Sequence, residues 1–246
     1  RHLCDEKIIV PFGASEMMMY AIKRKSIDAA VVVCEGAGTV ITDNPSLVQG
    51  IGAYMNGLFF TTPIPPVIES IQKNHGLVLS PSDALINQFE GVKKAVSIGC
   101  KKIAVTVRGD EEKIIKQIRK LQENLNSRSL NNKRLNDKIK IIILAVCNTG
   151  ISLKQAETLR DFSDLAWACA SEKVRSVVGP KSILQVGMKI PVFILTKNGL
   201  DFISSYSEDS ILKEKLYNIS SKHYITSIKY KDGAIKLDMK QINFPF

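Results

Sequence analysis

An α/β fold is what this 246-residue sequence predicts: a mainly parallel sheet with helices on both faces, Rossmann-like, ending in a C-terminal β-hairpin. Three observations predict it. Uniformly apolar runs recur, Ala29–Val33 (AAVVV) and Ile141–Val146 (IIILAV) among them, and strands buried on both faces read this way. Amphipathic stretches of helical length separate those runs, and such alternation implies crossover connections between parallel strands. Ser, Asp, Asn, Gly and Pro cluster at the boundaries, where caps and turns need them.

In chain order, Lys7–Gly13 reads as a first strand closed by Pro and Gly. Ser15 reads as the N-cap of a helix over Glu16–Lys25, and its run Met17-Met18-Met19 reads as core packing. Ile27–Cys34 is the second strand, followed by the turn Glu35-Gly36-Ala37-Gly38. Asp43-Asn44-Pro45-Ser46 is a cap and turn signal opening a helix over Leu47–Asn56. Leu58–Thr62 (LFFTT) reads as a third strand, and the prolines after it suit the first turn of a helix over Val67–Asn74. Leu77–Leu79 is a short extended piece, Ala84–Ile98 a helix ended by Gly99, and Lys102–Val107 a strand. Asp110–Leu125 carries the clearest apolar stripe, at Ile114, Ile115, Ile118 and Leu121, with acids at its start to suit the helix dipole.

Asn126–Asp137 is polar, basic and poor in apolar residues, so it reads as a loop dividing an N-terminal α/β half (1–125) from a C-terminal one (138–246). In that second half, Lys140–Val146 is the most hydrophobic strand and therefore central. Ser152 and Gln155 have capping-box spacing for a helix over Leu153–Phe162. Asp164–Ala168 and Ile190–Leu195 read as strands, Glu172–Val178 as a short helix, and Leu200–Tyr217 as mostly helical. Ile225–Tyr230 and Ala234–Met239 flank Lys231-Asp232-Gly233, the signature of a hairpin; it forms an appended tail or an arm for self-association into a homo-oligomer.

Composition excludes several classes. No apolar run approaches the ~18 residues of a membrane span. The chain opens at Arg1 with no initiator Met and no apolar leader, which reads as a fragment, a processed chain or one lacking its true start, with no visible signal peptide and the cytoplasm as its default compartment. Five cysteines, at 4, 34, 100, 147 and 169, form no CxxC pair, which argues against a disulfide framework or a zinc ribbon. A net charge of +10 can attract acidic partners. Its densest part, Lys113–Lys140, carries nine Lys/Arg and two acids but no aromatic residue for base stacking, so a nucleic-acid partner is disfavoured.

The candidate chemistry lies where strands end. Cys34, Cys147 and Cys169 each follow a predicted strand; if those strands are parallel neighbours, the thiols face one crevice outside their carboxyl ends. One reading makes Cys34 a nucleophile with Glu35 or Asn148 as its polar partner. Another makes Cys34, Cys147 and Cys169 ligands of a soft metal or an iron–sulfur cluster. A third leaves the thiols as inert packing. The Gly36 and Gly38 turn lacks the third glycine of a dinucleotide fingerprint, but its backbone N–H groups can hold an anion. Thr39, Gln49, Thr62, Asn148, Thr149 and Ser171 supply polar groups near strand ends, and Arg108, Lys173 and Arg175 can clamp a carboxylate or phosphate. No histidine triad or P-loop is present, and the sequence assigns no cofactor.

Several of these stretches together resemble the methanogenesis marker protein 8 family, an uncharacterised family of methanogenic archaea. They are the turn Val33–Val40, the stretches Leu47–Gly52 and Thr61–Pro65, Gly91-Val92 with Ile103–Val107, Thr149–Ser152, Cys169–Ser171, and Leu184–Gly187 through Phe193. The likeness runs in order from about Cys4 to about Gly199; Asn87 departs from it, standing where the family carries Asp. The resemblance implies a cytoplasmic accessory protein of methane metabolism with methanogenesis proteins as partners. Its task would be assembly or activation of methyl-coenzyme M reductase, or handling of one of its cofactors. The resemblance carries over no catalytic residue.

Overall fold

A computed structural model describes residues 3–7, 10, 12–131, 138–187, 190–204, 224–231 and 234–241. The elements follow in order: α1 (Ala14–Lys23), β1 (Ala29–Cys34), β2 (Gly38–Thr42), α2 (Pro45–Ile51), α3 (Pro65–Lys73), β3 (Leu77–Val78), α4 (Gln88–Ser97) and β4 (Lys102–Arg108). After them come α5 (Glu112–Asn131), β5 (Lys140–Val146), α6 (Leu153–Phe162), β6 (Leu165–Trp167), a π-helical turn at Val174–Val178, β7 (Leu184–Val186), β8 (Val192–Ile194), α7 (Lys197–Ser204), β9 (Tyr224–Lys231) and β10 (Ala234–Gln241).

These strands form one sheet in the order β10-β9-β7-β8-β6-β5-β4-β1-β2-β3. Its centre, β1, β4, β5 and β6, is parallel, with Ala30 opposite Ala104, Val105 opposite Ile143 and Leu144 opposite Leu165. Antiparallel pairs flank it, β1 with β2 on one side and β6 with β8 on the other. The two faces divide the core. Ala30, Val32, Ile142 and Leu144 pack with α1, α2, α3 and α7 through Met17, Leu47, Ile71 and Phe202. Ala29, Val31, Ile141 and Ile143 pack with α4, α5 and α6 through Val92, Ile115 and Leu159. Helices therefore cover both faces, as the uniformly apolar strands require. No described helix is long and apolar enough to cross a membrane.

The methionine run is buried in the core as expected, each residue at most 1% exposed. The capping box Ser152–Gln155 forms with both of its hydrogen bonds, and β9 and β10 pair antiparallel along their length. Other expectations are corrected. Leu58–Thr62 is not a strand: β2 and β4 occupy both edges of β1, so the segment has no ladder to join, and Phe59 and Phe60 lie 62% and 83% exposed. The first half of the expected loop is helical. Asn126–Asn131 continues α5, where the Asn126 amide donates to the Ile139 carbonyl (3.0 Å) and its Oδ1 accepts from the Ile139 N–H (2.8 Å); residues 132–137 lie outside the described residues. The helix expected from Ala84 starts at Gln88, with Asn87 as its N-cap accepting from the Glu90 N–H. Gly13, not Ser15, holds the N-cap position of α1. The strand expected over Lys7–Gly13 is not formed at its described residues. The turn residues Asp232 and Gly233 and the helix expected beyond Ser204 lie outside the described residues.

Candidate functional site

The turn after β1 is built by the protein for itself. Two β-branched runs joined through Glu35–Ala37 close as an antiparallel hairpin, Cys34 opposite Gly38. Gly36 (φ 83°) and Gly38 (φ 71°) are left-handed, the conformation glycine adopts at little cost. The expected anion cradle is not available: the Gly36 N–H donates to Thr61 Oγ1 (2.8 Å), and its carbonyl accepts from the Ile64 N–H (2.8 Å). A Cβ on Gly38 would lie 2.2 Å from the Ala84 carbonyl oxygen. The closely approaching backbone that these glycines admit is the chain's own.

Most of the expected ligand groups at that end are likewise occupied. Thr39 is fully buried, donating to Gln88 Oε1 and accepting from the Asn87 N–H. Gln49 ties the amino-terminal segment down by donating to the Lys7 carbonyl (2.6 Å) and to Glu16 Oε1. Ser171 accepts from the Val174 N–H as the cap of the next helical turn. Thr62, Thr149, Glu35 and Lys173 are exposed. Cys34 is 5% exposed within the apolar cluster, its thiol against the Glu35 carbonyl. This is a correction to the expected accessible nucleophile, because a thiol sealed in packing has no approach for a substrate.

The carboxyl ends of β4, β5 and β6 do gather chemistry. Arg108 ends β4; its Nε and Nη2 fork onto Asp110 at 2.9 and 2.6 Å, and Phe59 covers its guanidinium at 4.0 Å. Glu111 accepts from the Arg108 N–H, and burial holds its carboxyl above the usual carboxylate range. Tyr54 follows the left-handed Gly52 that ends α2. Its ring is 6% exposed, and its hydroxyl sits near the Arg108 guanidinium with no hydrogen bond of good geometry. Burial, with Glu111 nearby, pushes the phenol upward.

Cys147 follows β5 directly, and Cys169 lies two residues beyond the end of β6. Both are left-handed, φ 56° and 48°, which non-glycine residues hold at a cost of roughly 1–3 kcal/mol each. Between them Asn148, fully buried, donates to the carbonyls of Ala145 (2.9 Å) and Trp167 (2.7 Å), while its Oδ1 finds no partner. Burial, with a smaller contribution from Cys169, pushes the Cys147 thiol up to about 12. Arg175 donates to the Cys169 carbonyl (2.9 Å).

The fold thus brings Arg108, Asn148, Cys147 and Cys169 to one edge with Ser171 and Arg175 beside them, while Gln49 and the Gly36–Thr39 turn serve other contacts and Thr62 is exposed. The three-thiol metal centre is not assembled: among the described residues no group of three or more His, Cys, Asp or Glu side chains is placed to hold a metal ion. The sequence reading missed Tyr54, Glu111 and Phe59. Tyr54 alone had a signal, its place after the Gly50 and Gly52 pair of α2.

A family profile described as "Uncharacterized protein conserved in archaea" matches residues 1–207. An uncharacterized protein of Methanocaldococcus jannaschii is 43% identical over 205 residues, covering 83% of this chain and 67% of that protein. Among solved structures, a chain of the F420-reducing NiFe hydrogenase complex from Methanosarcina barkeri aligns at 14% identity with a TM-score of 0.38, over 82% of this chain and 79% of that one.

Proposed function

The chain belongs to the DUF2099 family of proteins conserved in archaea, and from that premise we propose that it is a cytoplasmic accessory protein of methanogenesis that holds a small ligand at the carboxyl edge of its sheet. One observation carries the binding role: a buried tyrosine hydroxyl with no hydrogen bond of good geometry, the shielded arginine beside it and two left-handed cysteines converge where parallel strands end. Open α/β sheets bind ligands at that edge. Unsatisfied groups and strained backbone persist there only because the surroundings impose them, and they concentrate where a protein works.

The methanogenesis association rests on the likeness to the methanogenesis marker protein 8 pattern and on the Methanocaldococcus jannaschii relative. The task assigned is assembly or activation of methyl-coenzyme M reductase, or handling of one of its cofactors; self-association is assigned to the terminal hairpin. Affinity capture of the tagged chain from its native cells under anaerobic conditions tests this reading. The reductase or one of its maturation proteins is expected among the retained proteins, with retention weakened by Arg108→Ala. Recovery of no methanogenesis component overturns it.

A further inference from the structure

We infer that Cys147 and Cys169 form a dithiol centre for thiol–disulfide exchange with small organic disulfides. The inference goes beyond the proposed accessory role and does not depend on it. β5 and β6 are parallel neighbours with Ala145 opposite Ala166, and that register carries Cys147 opposite Ala168, one residue short of Cys169. The chain turns at both cysteines, each left-handed, and the Cys169 thiol lies near enough to Cys147 to contribute to its raised value. A disulfide between them requires a Cα separation of roughly 4.4–6.8 Å. Both side chains pack against the same apolar cluster, so they lie on one face of the sheet. Each is partly exposed, whereas Cys34 is buried. The Asn148 amide, bonded to the carbonyls of Ala145 and Trp167, ties the two strand ends together and fixes their spacing.

The order of events follows from the surroundings. Cys147 is held protonated by burial, so the first attack falls to Cys169. Its thiolate displaces one thiolate from the small disulfide and forms a mixed disulfide. Cys147 then loses its proton to solvent and attacks Cys169 Sγ, expelling the second thiolate. The cysteine pair is oxidised to a disulfide, and the small disulfide is reduced to two thiols.

Titration of the reduced chain under anaerobic conditions with 2-hydroxyethyl disulfide, followed by peptide mass mapping, tests the inference. The expected product is a Cys147–Cys169 crosslinked peptide with two equivalents of released 2-mercaptoethanol, reversed by dithiothreitol. Cys147→Ser is expected to trap the mixed adduct at residue 169, and Cys169→Ser to abolish both adduct and crosslink. Separate adducts on the two thiols of the unsubstituted chain, or a crosslink through Cys34 or Cys100, would overturn it. The unsubstituted chain decides the matter even where a variant fails to fold.

Discussion

The two ends of the parallel core strands are built on opposite terms. At the amino end Asp164, Arg119 and Asp28 are all spent on hydrogen bonds. Asp164 accepts from Arg119, from Thr196 and from the Ile143 N–H, and Arg119 also donates to the carbonyls of Phe162 and Ile141. Asp28 in the same way accepts the Lys101 and Lys102 N–H groups (2.7 and 2.9 Å). At the carboxyl end, the Tyr54 hydroxyl and the Asn148 Oδ1 are buried without a hydrogen bond of good geometry, and Ala53, Cys147 and Cys169 are left-handed. One sheet thus carries a satisfied end that holds the fold and a strained, unsatisfied end free to meet something else. What separates a structural polar cluster from a functional one is whether its hydrogen-bonding capacity is spent.

Breaking the amino end should cost most. Asp164→Ala leaves the Arg119 guanidinium buried without its counter-ion, a loss of ~3–5 kcal/mol by analogy with broken buried pairs, visible as an earlier midpoint in urea unfolding. At the carboxyl end Asn148→Ala removes two good hydrogen bonds along with one idle oxygen, so its cost should be smaller, about 1–3 kcal/mol, read in the same assay. The contrast also has a pH signature. The Cys147 thiol titrates higher in the folded chain than in the unfolded one, so the folded state keeps its proton where the unfolded state loses it. That contribution to stability is complete below the ordinary thiol value and is lost as pH rises towards about 12. Denaturation followed between neutral and alkaline pH should show a downward slope that Cys147→Ser reduces; an unchanged slope would place the titration elsewhere.

Tyr54→Phe sharpens the comparison through its sign. Deleting a buried hydroxyl that makes no hydrogen bond of good geometry should leave stability unchanged or raise it by up to about 1 kcal/mol, while lowering affinity for whatever the site holds. A measured loss would mean that the hydroxyl is already satisfied. The smallest effect is expected from Phe59→Ala. The ring is largely exposed, and its contact with Arg108 contributes about 0.5–1 kcal/mol, to be read as a small shift in thermal unfolding.

The sequence reading fared differently at these two ends. The β5 run Ile141–Val146 and the capping box at Ser152 were legible because burial on both faces and cap chemistry are written into consecutive residues. The hairpin after Cys34 was only half legible. Its glycines marked a turn, but whether the following Thr39–Thr42 run paired back or led to a helix depended on which sheet edge was open. LFFTT has strand composition and no strand partner, so propensity lost to topology. At the site, Cys147 and Cys169 were found from their places after strands. Tyr54 and Glu111 were not, because their neighbours lie far away in sequence.

The order of residues alone determined which stretches are buried strands, where helices are capped, and that several thiols follow strands, since each depends on periodicity and caps within a few residues. Only the tertiary structure decided that Cys34 is sealed while Cys147 and Cys169 stand side by side, and that Arg108, Tyr54 and Phe59 meet. Those facts depend on which strands become neighbours and which backbone fills each gap. Both are settled by long-range burial, which no local pattern encodes.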